Sequence, residues 1–221
     1  MQHTSREFER ELKTLRDRLL AMGGRAEQQI ERATQSIVRS DDKLAEQVIA
    51  DDERMDQDEV EIDELAFLIL ARRQPVASDL RFVMLSLKIV TDLERIGDLA
   101  VNIAKRQKEL SLLSQSPPTG ELHELGQRVL GALRQALDAF RDADAITAEN
   151  VIRDDTEIDS LNVQLITGLL EDEIPSRLDL ARALATSSVS RYLERIGDHA
   201  TNIAEMVIYF VRGRDIRHHH Q

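Results

Sequence analysis

The chain has 221 residues, 42% of them apolar and only 3% aromatic, with no Trp, four Pro and nine Gly. That is enough apolar mass for one large domain or two of about 100 residues each, and too little turn material for an all-β sandwich or barrel. A net charge of −12 with a pI near 5.0 argues against binding phosphate backbones or anionic lipid surfaces, and the absence of Cys removes disulfides, thiolate metal sites and cysteine nucleophiles together.

The first predicted helix carries Phe8, Leu12, Leu15, Leu19, Met22, Ala26, Ile30, Ala33 and Ile37 at alternating steps of three and four. This is one apolar stripe along roughly 35 residues, about 50 Å. Thr4-x-x-Glu7 offers a capping box, Gly23-Gly24 a place to loosen or kink the helix, and Ser40-Asp41-Asp42 a stop-and-restart signal. The second helix presents Leu44, Val48, Met55, Ile62 and Ile69 and ends at Pro75, which suits the first turn of the next. The third runs from about Val76 to Leu113 with Ile89, Leu93, Ile96, Ala100 and Ile103 inward. Ser114-Gln115-Ser116-Pro117-Pro118-Thr119-Gly120 reads as a linker, so the chain divides into 1–113 and 119–215. A fourth helix follows with Leu122, Leu125, Val129, Leu133, Ala136, Phe140 and Ala143 on one face. A fifth holds Val151, Ile158, Leu161, Leu165 and Leu169, and beyond Pro175 a sixth spans about Arg177 to Val211. No apolar run approaches the ~18 residues that cross a bilayer, and no hydrophobic stretch follows Met1-Gln2-His3-Thr4, so a soluble cytoplasmic protein is expected.

The two halves match. A shift of 100 residues lays 75–104 on 175–204 with 13 identities and no gap, including Leu93-Glu94-Arg95-Ile96-Gly97-Asp98 on Leu193-Glu194-Arg195-Ile196-Gly197-Asp198. The expected fold is all-α: two tandem, internally duplicated three-helix bundles of six long antiparallel helices.

Glu94, Asp98 and Asn102 lie four apart and form a row on one helix face, repeated as Glu194, Asp198 and Asn202. At 100° per residue the row sits opposite the Ile96/Ile103 stripe, so it is expected to face away from its own core. Paired carboxylates at i,i+4 repel by a few tenths of a kcal/mol, and Gly97 and Gly197 each cost about 1 kcal/mol in a helix relative to Ala. Their repetition suggests that another backbone or a ligand comes close. The second helix carries Asp52, Asp56, Glu59 and Asp63 beside its stripe, and the fifth Asp155, Asp159 and Asn162. Asp52/Asp56 and Glu94/Asp98 are about equally far from the Pro75 turn, so an antiparallel pair brings them to one level, and the same count holds around Pro175. Oxygen donors of this kind suit hard cations such as Mg²⁺, Mn²⁺, Ca²⁺ or iron. The plain alternative is a solvated acidic face, with Arg95 and Arg195 as its ion-pair partners. No Glu-x-x-His pair, H-E-x-x-H, G-x-S-x-G or phosphate loop is present, and His218-His219-His220 is given no role. Arg72, Arg73 and Arg81 read as salt-bridge partners rather than an anion site.

The doubled E-R-I-G-D-x-x-x-N-I-A motif, Gln74-Pro75-Val76-Ala77-Ser78-Asp79-Leu80-Arg81 and the closing Ile208-Tyr209-Phe210-Val211-Arg212-Gly213 resemble the PhoU family over essentially the whole chain. The resemblance implies a non-enzymatic cytoplasmic regulator of phosphate uptake. Such a regulator links the phosphate ABC transporter, through its ATPase subunit, to a PhoR-type sensor histidine kinase, and keeps the phosphate-starvation regulon off when phosphate is plentiful. It also implies a homodimer, and metal ions (iron, zinc, manganese or magnesium) on E/D-x-x-x-D motifs, here Glu94, Asp98, Glu194 and Asp198, with Asp52, Asp56, Asp155 and Asp159 as companions. Arg95, Asn102, Arg195 and Asn202 complete the signature. His199 stands where the first half has Leu99, so the two sites need not bind alike. The rival readings are a metal-dependent phosphoester hydrolase using the same carboxylates, and an amphipathic lipid-binding scaffold.

Overall fold

The structure, a computed structural model, describes residues 2–113, 119–171 and 176–213, with side chains from Arg6 onward. The described residues form seven helices and no strand: α1 (Gln2–Arg39), α2 (Asp42–Ala50), α3 (Asp52–Arg73), α4 (Ala77–Leu110), α5 (Thr119–Asp142), α6 (Ala145–Glu171) and α7 (Arg177–Arg212). The linker residues 114–118, Pro175, the His218–His220 tail and the Thr4 side chain lie outside the described residues.

Six helices are expected from the sequence and seven are seen, because the second is two. Asp41 caps α2 by accepting the Leu44 N–H at 3.0 Å. At Asp51 the chain stays near helical angles (φ −74°, ψ −7°), its N–H bonding the Gln47 carbonyl at 2.9 Å. The separation of α2 from α3 is therefore one turn-like residue, held from outside by Arg32 at 2.7 Å from the Asp51 carboxylate. Gly23-Gly24, by contrast, does not break α1, which runs through both. At the first hairpin α3 stops at Arg73, Gln74 takes a left-handed conformation (φ 48°), and Val76 precedes α4 as an extended residue, so Pro75 lies in the turn itself. Arg73 closes this end by clamping Glu11 of α1 with two bonds of 2.7 and 2.8 Å, the salt-bridge role expected for it.

The stripes read from the sequence become the core. Leu15, Leu19, Met22, Ile30, Ile37, Met55, Ile62, Ile69, Ile89, Leu93, Ile96 and Ile103 are all sealed from water. Helices α1–α4 make one bundle and α5–α7 the other, and the two share a continuous apolar core because α1 packs on α5 and α4 on α7. Phe82 of α4 marks that shared core, stacked on Phe140 of α5 at 6.2 Å and tilted against Phe210 of α7 at 6.0 Å.

The halves meet about an internal two-fold axis. Where α1 crosses α5, a Cβ added at Gly23 would lie 2.7 Å from Leu137, and one added at Gly126 would lie 2.5 Å from Thr34. Moving the first contact forward by 103 residues turns Gly23 into Gly126 and pairs it with the position 103 before Leu137, which is Thr34. Each contact is thus the copy of the other, as an antiparallel seam between duplicated helices requires. The α1/α5 pair covers one side of the α4/α7 pair, so the outward faces of α4 and α7 share the opposite side.

Candidate functional site

The motif glycines position the acids. Gly97 faces Met55 of α3 and Gln29 of α1, where an added Cβ would sit 3.4 and 3.1 Å away. Gly197 faces Ile158 and Asp155 of α6, at 3.2 and 3.4 Å. The groups that come close at these glycines in the structure are side chains of the neighbouring helices, those of α3 and α1 at Gly97 and of α6 at Gly197. With α3 drawn against α4, the charges of Asp52 and Glu59 meet that of Asp98, and Glu59 also meets Glu94, while Asp56 bears on Asp52 and Glu59 from their own helix; with α6 drawn against α7, those of Asp155 and Asp159 act on Asp198 and Glu194.

The rows do not stand on an open face. Glu94 keeps only 17% of its side-chain exposure, whereas Asp98 keeps 45%, so the row lines the rim of the α3/α4 groove. Burial and mutual repulsion raise the proton affinity of several of these carboxylates. Desolvation, then the Asp98 charge, pushes Glu94 up to about 7 against the pull of Arg95. Desolvation, with Asp159 and Asp198, pushes Asp155 up to about 6. Asp52, Glu59, Asp63, Glu194 and Asp198 are all raised, burial being the first cause in each. Arg95 stands 3.4 Å from Glu94 and 3.3 Å from Asp98. Arg195 bears on Asp198 and Glu194 through charge alone. Neither Arg cancels its cluster. Among the described residues no three carboxylate or imidazole groups converge closely enough to hold an ion as they stand.

Two residues of the second half do other work. Asn162, the copy of Glu59, is buried and accepts the Ser190 hydroxyl at 2.6 Å, pinning α6 to α7. Asn202 donates to Asp92 of α4 at 3.4 Å, beside His199, whose Nδ1 lies 2.7 Å from the same Asp92 oxygen. Asp92 escapes sequence reasoning. The signal was there: positions 92/192 (Asp/Tyr) and 99/199 (Leu/His) both break the repeat, and the two breaks are each other's partners across the seam. His199→Leu restores the first half's residue but takes the closer partner from a carboxylate that is 13% exposed, leaving it the 3.4 Å bond from Asn202. It is expected to cost about 1–2 kcal/mol in urea unfolding, most of which Asp92→Leu in the same chain should recover.

A family model described as the PhoU domain matches residues 19–107 and 122–207. The chain belongs to the PhoU family. It is 44% identical over 98% of its length to a phosphate-specific transport system accessory protein PhoU homolog of Pseudomonas putida, covering 85% of that protein, and 38% identical to the Escherichia coli K12 accessory protein PhoU, covering 90% of it. The crystal structure of PhoU from Pseudomonas aeruginosa superposes with a TM-score of 0.90 at 42% identity, over 94% of this chain and all of that one. That of the phosphate transport system regulatory protein PhoU from Streptococcus pneumoniae gives 0.87 at 27% identity, over 95% and 99%. The family's all-helical fold is the one described above. Among the described residues no helix is long and apolar enough to cross a membrane.

Proposed function

We propose that this chain is a regulator of phosphate transport that acts by docking rather than by turnover, linking the phosphate ABC transporter to a sensor histidine kinase in the cytoplasm. Membership of the PhoU family, whose relatives are named accessory and regulatory proteins of the phosphate transport system, carries the reading. The duplicated acidic grooves are its working surface. Asp52, Asp56, Glu94 and Asp98 in one half, and Asp155, Asp159, Glu194 and Asp198 in the other, would hold a divalent or trivalent cation. The donor set fits one in kind: all oxygen, without thiolate or clustered imidazole, and charged beyond what Arg95 and Arg195 offset. A bound cation supplies the missing counter-charge. The chain's own groups do the rest: Gly97 and Gly197 hold the acidic helices together, and Arg95 keeps Glu94 and Asp98 oriented at the rim.

In a strain lacking its own PhoU, the chain is expected to restore repression of phosphate-starvation genes at high phosphate. A chain that accumulates yet leaves them derepressed would refute the regulatory reading. Elemental analysis of the native protein should find metal, and Glu94→Gln/Asp98→Asn/Glu194→Gln/Asp198→Asn should lower its content at least tenfold. Unchanged content would remove those residues from the site.

A further inference from the structure

The hairpins that carry the acids also expose large apolar side chains, eight of them in four copied pairs, while Leu68, Val76 and Leu178 are exposed without an apolar copy. Val60 is 55% exposed and its copy Val163 61%; Phe67 is 61% and Leu170 74%; Leu80 is 40% and Leu180 46%; Met84 is 47% and Leu184 61%. Single exposed apolar residues are ordinary on any surface. The same set recurring at matched positions after 100 or 103 residues, where most surface residues of the two halves have diverged, is not.

These residues continue the acidic rows. Leu80 lies 18 residues before Asp98 and Met84 18 before Asn102, and the same holds for Leu180/Asp198 and Leu184/Asn202. Eighteen residues are five turns, so each pair shares one helix face. On each hairpin the outward face is therefore a strip, apolar near the turn and acidic toward the middle of the molecule. Both strips lie on the side of α4 and α7 that α1 and α5 leave uncovered. A cleft of about 400 Å³ between them, lined by Lys88, Thr91 and Asp92 of α4 and Asn202 and Glu205 of α7, opens on that side. The antiparallel pairs Phe82–Phe210 and Asp92–His199 centre the two helices on Ile96 and Ile196. Leu80 and Leu180 each lie 16 residues from that centre, in opposite directions, so the apolar ends stand about 48 Å apart.

We infer that this face docks one two-fold symmetric protein, each of whose subunits sets an apolar segment bordered by Lys or Arg on one strip. Charge decides the chemistry of the occupant. A second copy of this chain, itself at −12, would bring carboxylate strip against carboxylate strip, and an anionic membrane meets the same repulsion. A basic border meets the acids with opposite sign. The internal two-fold axis sets the stoichiometry, since two equivalent half-sites on one chain match the two equivalent subunits of a dimer. The inference rests on the proposed docking to the phosphate transporter, whose two ATPase subunits are the dimer to be tested.

The test uses purified wild-type chain and detergent-solubilised phosphate transporter from the same organism. Native mass spectrometry is expected to give one chain per transporter. Leu80→Glu/Met84→Glu and Leu180→Glu/Leu184→Glu are each expected to weaken binding roughly 100-fold, to the same extent within about threefold, because each removes one arm of a bivalent contact. The quadruple variant should not bind. All four positions are exposed, and thermal melting within about 2 °C of wild type confirms folding. Wild-type chain that does not bind the transporter sinks the functional reading and this inference together. Wild-type binding that the variants leave intact, or that only one pair weakens, overturns the inference alone. So does loss of self-association, or of flotation with anionic vesicles, as the main effect of the substitutions.

Discussion

Between pH 5 and pH 7.5 the metal-free chain is expected to lose about 2 kcal/mol of unfolding free energy, and a saturating divalent cation is expected to give it back. Glu94 binds its proton up to about pH 7 in the folded chain and Asp155 up to about 6, against ordinary values of 4.5 and 3.8. In that window the folded state holds protons that the unfolded state has released, so stability falls as pH rises. A tenfold gain in proton affinity on folding is worth about 1.4 kcal/mol before screening by solvent, and groups at a groove rim keep only part of it. The carboxyls moved the other way, Glu11 by its bonds to Arg73, Asp142 by those to Arg141 and Asp144 by those to Thr147 and Ile146, lose their contribution only as pH falls below their ordinary range. The profile should peak near pH 5. Urea unfolding after chelation, repeated with Mn²⁺ at about 100 times its dissociation constant, measures both halves, the cation adding about 2.7 kcal/mol. Glu94→Gln/Asp155→Asn should flatten the metal-free profile and abolish the response to the ion. A metal-free profile that climbs from pH 5 to 7.5 would show that the acids are compensated within the chain.

Gly126→Ala is expected to cost about 2 kcal/mol, while Gly23→Ala, the copied position, should be near neutral. Both gain about 1 kcal/mol of helix propensity, so the difference lies in what the new methyl meets. At Gly126 it meets Thr34, with Cγ2 at 2.5 Å, Oγ1 at 2.9 Å and Cβ at 3.2 Å. A β-branched side chain held to few rotamers cannot swing aside, so α1 and α5 must separate, an overpacking that costs about 1–3 kcal/mol or more. At Gly23 it meets mainly the two terminal methyls of Leu137, at 2.7 and 2.8 Å, which a rotamer change moves away. Equal losses at both positions, by thermal or urea unfolding, would contradict this account of the seam.

How far the sequence reaches can be judged at particular residues. Helix periodicity fixes the inward stripes because burial alone imposes it: Leu93, Ile96 and Ile103 are expected inside and are inside. The Asp51 break was not legible, since a residue at φ −74° leaves the three-and-four spacing nearly intact. The level match of Asp52/Asp56 with Glu94/Asp98 follows from counting away from a proline turn. Their half-burial does not, because it depends on how closely α3 lies against α4, which Gly97 sets and no spacing rule measures. The seam was equally hidden. Gly23 reads as a possible kink until α5 is seen lying across it, and Asp92 reads as surface until His199 arrives from more than 100 residues away.

That seam bears on the chain's origin. A half-length ancestor with a single repeat would have presented the faces of α1 and α4 that now meet α5 and α7 to water. The matching cover for them would be another molecule of itself, paired antiparallel about a two-fold axis. Fusion of two such genes would turn a concentration-dependent association into a fold. It would also free each half to drift, leaving His199 opposite Asp92 where a self-paired ancestor was obliged to keep both sides alike.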